Sequence, residues 1–546
     1  MRRRFRISRN SKESGTPGEH LVHCSLEPDV FASGDISTSI SDNEKRIREA
    51  FGDSSDLSVR RINFGAYSDV EVLVVHIDGL VDDQMVIQGI LRPIGVLSDW
   101  PALDEPSPAD IYNELKSRLI AKDELSEVGR MEDLLREICF GNSAIMVDGH
   151  NLALIADVKG WRQRNIESST TEPTIRGSKE AFVETLRTNT SIIRRRIHDP
   201  RLRVEERTVG AIGRTFIAVV YIEGVAKDEV VQEVRDRIDR VSVDSIQGSG
   251  VLEEFIEDNP FSPFPTVLRT ERVDRVVGAL LEGRIAILTD GTPFTLIVPC
   301  NLFMFLSVPD DYFERFMIGS LLRLLRLFLF FIALLLPTFF VAAVTYHQEM
   351  IPTNLAISIA AQREGIPFPA LVEAIILDVA FEILREATVR VPLVFGPAVS
   401  ILGVLFLGQI AVQAGLVSPF MVITVSLTAI ASLSCPIFSM GIAARMLRFV
   451  FLILGGTLGL YGAIWGFAAL LIHLASLRSF GISYAEPLLP LVPAGLGDSV
   501  VRLPWWSRIK RPPFIAGPNQ TGEASGQRPE PPKPDEDSGP KGGIPR

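Results

Sequence analysis

The sequence predicts an α/β part joined to an all-α membrane part: tandem, duplicated α/β soluble subdomains followed by a polytopic bundle of transmembrane helices. Three observations predict this class. The mean hydropathy is positive (+0.23) although 22% of the 546 residues are charged, so two regions of different composition are averaged. Residues 391–444 contain no charged side chain. Upstream of them, similar strand-and-turn patterns recur at a nearly constant spacing.

Composition also excludes several function classes. The net charge is −11, from 66 acidic and 55 basic residues, which argues against nucleic acid as a partner. The four cysteines lie far apart in the sequence: Cys24, Cys139, Cys300 and Cys435. Their spacing predicts neither a disulfide framework nor a metal site. No phosphate-binding loop, dinucleotide fingerprint or nucleophile motif occurs, so we expect no catalytic residues, no cofactor and no enzyme activity.

The first α/β subdomain is predicted over residues 41–160, after a disordered N-terminal segment over 1–40. Within it, VLVVHIDGLVD predicts a strand that ends in an Asp-Gly turn and leads to a helix. Further on, GNSAIMVDG and the following LALIADV predict two strands joined by a second Asp-Gly turn. Each pattern is typical of a strand edge or a hairpin rather than of a catalytic site.

The second α/β subdomain is predicted over 214–320, after a connector over 161–213. It repeats both patterns: IAVVYIEGVAKD follows its counterpart by 145 residues, and GRIAILTDG follows GNSAIMVDG by 142. The acidic residues before the glycines are assigned to the turns: Asp78, Asp148, Glu223 and Asp290. The connector contains an arginine run at 194–196, which either contacts lipid head groups or a partner, or is a solvated helix end.

The membrane bundle is predicted over 321–480. Apolar runs of about 20 residues predict spanning helices. Four are expected, near 327–346, 393–414, 418–438 and 449–473. A further helical segment, 370–387, carries charges on one face. It is either an amphipathic helix on the membrane surface or a re-entrant or spanning helix that lines a polar path.

The orientation follows from basic residues before the first span and after the last. With an even number of spans, both ends of the bundle face the cytoplasm, but Arg445 and Arg448 then lie on the opposite side. If 370–387 crosses, these arginines move inside and the C-terminal segment moves outside, so the residues alone leave the orientation open. That segment, 481–546, ends in a proline-rich tail that is predicted to be disordered from Arg511 onwards.

Long strings from about residue 60 to 505 resemble the A subunit of GerA-type spore germinant receptors of endospore-forming bacteria. They are EPTIRGSKEAFVETLRTNTSIIRRR at 172–196, EEFIEDNPFSPFPTVLRTERVDR at 253–275, PDDYFER at 309–315 and HQEMIPTNLAISIAAQREGIPFPALVEAI at 347–375. Ser178 stands where family members commonly have proline. The proline-rich tail is not part of the shared pattern.

The resemblance implies a multi-pass receptor subunit in the spore inner membrane, in contact with lipid and with its N-terminal domain in the cytoplasm. Its partners would be a B subunit and a lipoprotein C subunit. The B subunit of such receptors resembles amino-acid transporters and is thought to hold the germinant. The A subunit is thought to form a homo-oligomer, expected to be a pentamer, that acts as a ligand-gated channel for monovalent cations.

An uncharged helix over 418–435 is the candidate pore wall. One of its faces carries Val422, Ser426, Ala429 and Leu433, at i, i+4, i+7 and i+11. A ring of these residues from several subunits would combine a hydrophobic gate with a polar filter. Thr424 and Thr428 form a competing polar face, and ordinary packing of small residues between helices is the alternative interpretation.

Two further sets of residues have predicted roles. Rings of Asp378, Glu382 and Glu386 from several subunits would concentrate cations in an acidic vestibule. Four glycines of the last span are predicted to allow close helix packing: Gly455, Gly459, Gly462 and Gly466. The resulting hypothesis is a subunit of a germinant-gated cation channel. A secondary-transporter component and a non-conducting membrane scaffold of the receptor complex are the alternatives.

Overall fold

The computed structural model describes residues 33–64, 67–95, 107–118, 125–160, 172, 174, 176–390, 403, 406–523 and 526–529. Most of the predicted span 393–414 lies outside the described residues, as do residues 1–32 and the end of the proline-rich tail. Along the described chain, two α/β subdomains are followed by a set of apolar helices and then by a C-terminal segment that returns to the second subdomain.

The first subdomain is a five-stranded antiparallel sheet with the order β1-β2-β4-β5-β3. Its strands are β1 (Leu57–Phe64), β2 (Tyr67–Ile77), β3 (Leu125–Val128), β4 (Ser143–Val147) and β5 (Ala153–Ala156). Its helices are α1 (Ile40–Phe51), α2 (83–95, with a π-helical stretch at Val86–Leu91), α3 (Pro108–Arg118) and α4 (Met131–Cys139). Every residue of β4 and β5 is buried, because an apolar cluster covers each face of the sheet.

The second subdomain repeats this arrangement, with antiparallel strands in the order β6-β7-β9-β10-β8. Its strands are β6 (Leu202–Val209), β7 (Thr215–Ile222), β8 (Leu268–Thr270), β9 (Ile285–Thr289) and β10 (Thr295–Val298). Its helices are α5 (Leu186–Arg194), α6 (Asp228–Asp239), α7 (Ser249–Ile256) and α8 (Val273–Glu282). The α/β part of the predicted fold class is therefore confirmed.

The aspartates of the two Asp-Gly hairpin turns make equivalent hydrogen bonds in the two subdomains. Asp148 Oδ1 accepts a hydrogen bond from Ile40 N (3.1 Å), and Asp290 Oδ1 accepts one from Leu186 N (3.0 Å). Each carboxylate thus joins a hairpin turn to the N-terminus of α1 or α5, where free N–H groups and the helix dipole favour negative charge. Their role is structural, as the sequence predicts.

A buried asparagine on each of these two helices is also repeated. Asn43 accepts from Ser37 N (2.9 Å) and donates to Ser37 O (2.6 Å). Asn189 makes the same pair of bonds with Val183 (2.8 and 2.6 Å). Both asparagines are 1% exposed, so water does not reach these sites. Each side chain instead pairs with the backbone N–H and C=O groups of an extended segment.

A buried ion pair joins the two subdomains. Arg194, at the end of α5, donates from Nε and Nη2 to the two carboxylate oxygens of Asp56 (2.8 and 2.9 Å). Both side chains are 1% exposed. Arg195 and Arg196 pair instead with Glu180 nearer the surface (3.4 and 2.7 Å). The arginine run is therefore divided, and its first member is neither solvated nor available to lipid.

The apolar helices follow two short connecting helices, α9 (Leu302–Leu306) and α10 (Asp310–Phe313). They are α11 (Phe316–Tyr346), α12 (Thr353–Arg363), α13 (Ala370–Arg390), α14 (406–413), α15 (Pro419–Leu433) and α16 (Phe438–Ser476). By length and composition, α11 and α16 could each cross a membrane, and α15 is a shorter apolar helix. The predicted span near 327–346 lies within α11.

The C-terminal segment packs on the second subdomain. It contains the short strands β11 (Arg478–Ser479) and β12 (Ile482–Ser483) and the helix α17 (Pro493–Ser499). Ser479 Oγ accepts from Cys300 N (3.0 Å) and donates to Thr266 O (2.7 Å). Tyr484 is fully buried, and its carbonyl oxygen accepts from Leu302 N (2.9 Å). The chain therefore leaves α16 on the side where it enters α11.

Both predicted disordered termini include packed residues. Ile36 and Ile40 are buried against the first sheet. Ile515 and Ala516 are each 2% exposed, and Gly517 N donates to Val225 O (2.7 Å). The difference arises because the partners of both stretches are distant in sequence, whereas the disorder prediction rests on local composition.

Candidate functional site

Gly459 divides α16 into two arms. Its φ of 66° and ψ of −150° lie outside the helical region, in backbone space that glycine alone enters readily. A Cβ atom on Gly466 would lie 3.1 Å from Cε1 of Phe451. In a straight helix these residues would be about 22 Å apart. The arms 438–458 and 460–476 therefore form a helical hairpin, and the predicted single span 449–473 is divided at its middle.

The end of α11 supplies partners for the backbone groups at this break. Leu460 N donates to His347 Nε2 (3.3 Å), and the Tyr346 hydroxyl donates to the carbonyl oxygens of Gly456 and Thr457 (3.2 and 2.8 Å). In an apolar environment an unpaired backbone group costs several kcal/mol. These two side chains therefore allow the helix to break among other apolar helices.

The second arm runs back along α11 to the second subdomain. Its Phe467 packs edge-on against Phe331 of α11, with ring centroids 6.1 Å apart. Near its end, His473 Nε2 lies 2.9 Å from Ser262 Oγ, which belongs to the second subdomain. The tip of the hairpin lies at the far end of α11, and its second arm ends beside the α/β part.

A cluster of charged side chains lies between α13 and the first arm. Asp378 Oδ2 is 3.3 Å from Arg448 Nε, and these side chains are 1% and 3% exposed. Glu382 accepts from Arg445 Nη1 (2.8 Å), and its other oxygen is 3.7 Å from Arg448 Nη2. Neither oxygen of Asp378 makes a hydrogen bond within the described residues. Charge, rather than directed hydrogen bonding, holds this pair together.

A second buried carboxylate, Glu373, connects α13 to the start of α15. It accepts from Ser418 N (2.8 Å) and lies 3.2 Å from Arg363 Nη2, and it is fully buried. The Ser418 hydroxyl in turn caps α15. At the other end, Arg385 donates to Ser432 Oγ (2.9 Å). These contacts at both ends make α13 and α15 parallel neighbours.

The residues predicted for an acidic vestibule have different surroundings. Asp378 and Glu382 face arginines of the same chain, whereas Glu386 is 64% exposed and pairs with Arg390 of its own helix (2.6 Å). The sequence predicted the acidic face but missed its partners on α16. A signal was present, since Arg445 and Arg448 share one helix face that could oppose an acidic one. The vestibule role stays a prediction.

The candidate pore face on α15 is only partly covered by the single chain, and a neighbouring apolar face with Ile423, Leu427 and Ile430 is more exposed. Leu433 is 74% exposed, and the other three residues of that face are half-buried: Val422, Ser426 and Ala429. The competing threonine face points into the chain. Thr424 and Thr428 are 8% and 0% exposed, and their hydroxyls donate to carbonyl oxygens one turn earlier (2.9 and 2.8 Å). The pore role itself stays a prediction.

The predicted packing glycines have different surroundings. A Cβ on Gly455 would lie 2.5 Å from Cγ2 of Thr338, so this glycine brings the first arm against α11. Gly462 and Gly466 face the first arm from inside the hairpin, and Gly459 is the break itself. The regular repeat in the sequence could not distinguish a packing glycine from the one that reverses the chain.

The cysteines of the α/β part are ordinary buried thiols. Burial raises the pKa of the Cys139 thiol to about 12 and that of Cys300 to about 11. Both therefore stay protonated and unreactive near neutral pH. Within the described residues, no group of three or more His, Cys, Asp or Glu side chains could hold a metal ion.

Comparisons with known proteins agree with the resemblance seen in the sequence. A crystal structure of the N-terminal domain of the A subunit of the Bacillus megaterium spore germinant receptor GerK3 is 34% identical, with a TM-score of 0.38, over 48% of this chain and 96% of that chain. Spore germination protein KA of Bacillus subtilis (strain 168) is 45% identical over 91% of this chain and 90% of its own length. Spore germination protein GerLA of Bacillus cereus is 36% identical over 87% of this chain and 96% of its own length.

The family model described as Bacillus/Clostridium GerA spore germination protein matches residues 45–514. This match includes nearly all of both α/β subdomains, all the apolar helices and about half of the C-terminal segment. The predicted resemblance is thereby confirmed, and the chain belongs to the GerA family of spore germination proteins.

Proposed function

We propose that this chain is the multi-pass A-type subunit of a germinant receptor in the spore inner membrane, and that copies of it assemble around an ion path. Relatives that align along most of the chain are named spore germination proteins. Two helices have the length and composition for crossing a bilayer. A germinant-binding B subunit and a lipoprotein C subunit are the proposed partners, as in the family.

Six crossings agree best with the helix directions. In this proposal α11 leads away from the second subdomain, α13 and α15 lead back towards it, and the two arms of α16 lead away and back again. The predicted span 393–414 supplies the remaining crossing between α13 and α15. An even number is required because the C-terminal segment packs on the second subdomain. The spanning interpretation of 370–387 is thereby favoured.

This topology also accounts for the basic residues. Both ends of the bundle lie on one side, and arginines flank each of them, which favours a cytoplasmic position for the α/β subdomains. Arg445 and Arg448 no longer count as loop charges, because they lie within the first arm and pair with carboxylates of α13. The conflict in the predicted orientation is removed.

The observation that carries the conducting role is that α15 has a small-polar face that is half-covered, between its buried threonine face and a more exposed, wholly apolar face with Ile423, Leu427 and Ile430. Its threonine face is buried against the same chain, whereas its valine, serine, alanine and leucine face is left half-covered. Uncharged helices with small polar side chains are suited to line a narrow pore when several copies surround an axis. A homo-oligomer in which Val422, Ser426, Ala429 and Leu433 face that axis is the assembly we propose, with a pentamer as the expected state.

The charged cluster beside α15 is suited to change during gating. Asp378 and Arg448 are buried without directed hydrogen bonds between them, so separating them forfeits less than separating a fully bonded pair. Movement of the first arm would uncover Asp378 and Glu382 and add them to the exposed Glu386. The acidic vestibule would then exist in the open state, where it would attract cations.

Cysteine substitution on the two faces of α15 tests the conducting role. Ser426→Cys lies on the proposed pore face, and Thr428→Cys is the matched control on the buried face. The receptor is reconstituted with its partner subunits and exposed to a charged thiol reagent during germinant-triggered single-channel recording. We expect the reagent to reduce the conductance of the Ser426→Cys channel and to leave the control unchanged. Equal sensitivity of both variants would reject this pore face.

A secondary-transporter component is the second candidate, favoured by the broken α16, since broken helices are common in transporters. Its signature would be substrate flux without unitary current steps. The third candidate, a non-conducting scaffold, would show neither. The same recordings therefore separate all three.

A further inference from the structure

A groove of about 510 Å³ lies between α8, α10 and the C-terminal segment, away from the helices of the proposed pore. Its lining includes Tyr312, Phe313, Trp505 and Leu281. The last three are 38%, 48% and 47% exposed, which leaves an open apolar surface on the α/β side of the molecule. Exposed aromatic side chains gathered in one groove are typical of a binding surface.

The aromatic rings are held in place by an arginine. Tyr312 and Trp505 have ring centroids 5.7 Å apart and planes inclined by 47°. The Arg508 guanidinium lies 5.3 Å from the first ring and 5.0 Å from the second. Arg508 is itself bound by Asp498 (2.7 Å) and Glu282 (3.3 Å). A fixed, tilted pair of aromatic rings is the kind of slot into which a polyproline II helix fits.

The mouth of this groove favours a negatively charged ligand. Lys510 lines it, is exposed and makes no ion pair within the part of the chain that the structure describes. The lining has three carboxylates: Asp274 pairs with Arg272 (2.6 Å), Glu282 pairs with Arg508 (3.3 Å), and Glu523 also interacts with the charge of Arg508. An acidic segment would therefore meet unbalanced positive charge at Lys510.

We propose that the occupant is the proline-rich tail of this same chain, residues 529–537 (PEPPKPDED). The tail has two Pro-x-x-Pro spacings, followed by three consecutive acidic residues. Glu523 lines the groove and is separated from Pro529 by only a few residues. Six residues of extended chain reach about 20 Å, so the tail can fold back into the groove with its acidic end near Lys510.

The short tether makes this contact effective even if the groove binds proline-rich peptides weakly. A segment attached by a short flexible linker has an effective concentration of about a millimolar. The tail would then cover Trp505 and lie across α8, α10 and the C-terminal segment, at the base of α11. This inference is independent of whether the membrane helices conduct ions.

The test uses the purified chain in detergent and a fluorescent peptide of residues 526–538. Binding is followed by anisotropy for the full chain, for a variant that ends at Arg528, and for that truncated variant carrying Trp505→Ala or Lys510→Glu. Lys45→Glu in the truncated variant is the matched charge control, because Lys45 is an exposed lysine on α1. A peptide with Pro531, Pro532 and Pro534 replaced by alanine controls for composition.

We expect saturable binding to the truncated chain, at least tenfold weaker binding to the full chain, and a similar loss with Trp505→Ala or the alanine peptide. Lys510→Glu should weaken binding several-fold while Lys45→Glu does not, and since Lys510 is exposed its substitution leaves the fold intact. Equal binding to the full and truncated chains would show that the groove is open and would overturn occupancy by the tail. Absence of binding to the folded truncated chain would show that the groove is not a binding site for the proline-rich tail.

Discussion

Arg194 and Arg448 each place a guanidinium against one aspartate in the interior, but their surroundings differ. Arg194 makes two short hydrogen bonds to Asp56 and a third contact to Ser54 Oγ (3.3 Å). Arg448 approaches Asp378 only at 3.3 Å, and no hydrogen bond forms between them. The first pair joins two subdomains of similar architecture, whereas the second lies among apolar helices.

The difference teaches that burial alone does not define the role of an ion pair. Desolvation of two charges is costly, and it is offset only when the geometry is good and the remaining polar atoms are satisfied. Within the described residues, both oxygens of Asp56 accept hydrogen bonds and only Nη1 of Arg194 is left unpaired, whereas neither oxygen of Asp378 accepts one and two nitrogens of Arg448 are unpaired. The Arg194 pair is therefore suited to a rigid joint between subdomains, and the Arg448 pair to a contact that separates at lower cost.

The largest expected effect is at the joint between the subdomains. Asp56→Ala leaves the Arg194 charge buried without its partner, so we expect a loss of about 3–5 kcal/mol in the free energy of unfolding. Urea unfolding of the purified chain, followed by circular dichroism, measures it. Asp133→Ala is the control, because Asp133 pairs with Arg136 at the surface and should cost less than about 0.5 kcal/mol. Similar losses in both variants would contradict the structural role of the buried pair.

Breaking the Asp378–Arg448 pair among the apolar helices should reduce stability less than breaking the Asp56–Arg194 pair. Arg448→Gln leaves Asp378 buried, but a lone carboxylate can bind a proton and lose its charge, which limits the loss to about 2–3 kcal/mol. The double variant Arg448→Gln, Asp378→Asn should recover most of it. A double-mutant cycle by thermal unfolding in detergent gives the coupling energy. A coupling energy at 378 and 448 larger than that at 56 and 194 would reverse the comparison.

The sequence does not predict the Arg194–Asp56 pair, and of the Arg448–Asp378 pair it predicts only the role of the acidic member. Arg194 belongs to a run of three arginines that looks solvated, and nothing local distinguishes it from Arg195, because its partner lies 138 residues earlier. Asp378 and Glu382 were recognisable because carboxylates are rare among apolar helices. The arginines that pair with them are recognisable too, but the apolar pattern predicts that the last span begins near residue 449, which leaves Arg445 and Arg448 outside it.

The repeated α/β architecture is predictable for a different reason. Strand alternation and Asp-Gly turns are local signals, and they recur in both subdomains at nearly the same spacing. The hairpin in α16 was not predictable, because Gly459 stands in a regular series of glycines and only its backbone angles single it out. Side-chain contacts from α11 complete that turn, and such contacts over more than 100 residues leave no local pattern.

The third prediction concerns the turn at Gly459 between the two arms of α16. Gly459→Ala places a Cβ in backbone space that side chains disfavour and 3.0 Å from His347 Nε2, so we expect a loss of about 1–3 kcal/mol in stability. Gly365→Ala is the matched control, since nothing lies within 4 Å of its added Cβ. The melting midpoint in detergent, followed by size-exclusion chromatography, measures both variants. An unchanged midpoint for Gly459→Ala would mean that the arms do not fold back there.

The smallest expected effect tests whether the two subdomains are equivalent. Asp148→Ala and Asp290→Ala each remove one hydrogen bond to a helix N-terminus, so each should cost about 1 kcal/mol in urea unfolding. The double variant should cost the sum, because the two carboxylates share no partner. Asp53→Ala, at an exposed position, is the control and should have no effect. A difference of more than about 0.5 kcal/mol between the two single variants would exceed the scatter expected for independent sites. It would mean that the same hydrogen bond contributes unequally to the stability of the two subdomains. One subdomain would then unfold before the other, although the Arg194–Asp56 pair joins them.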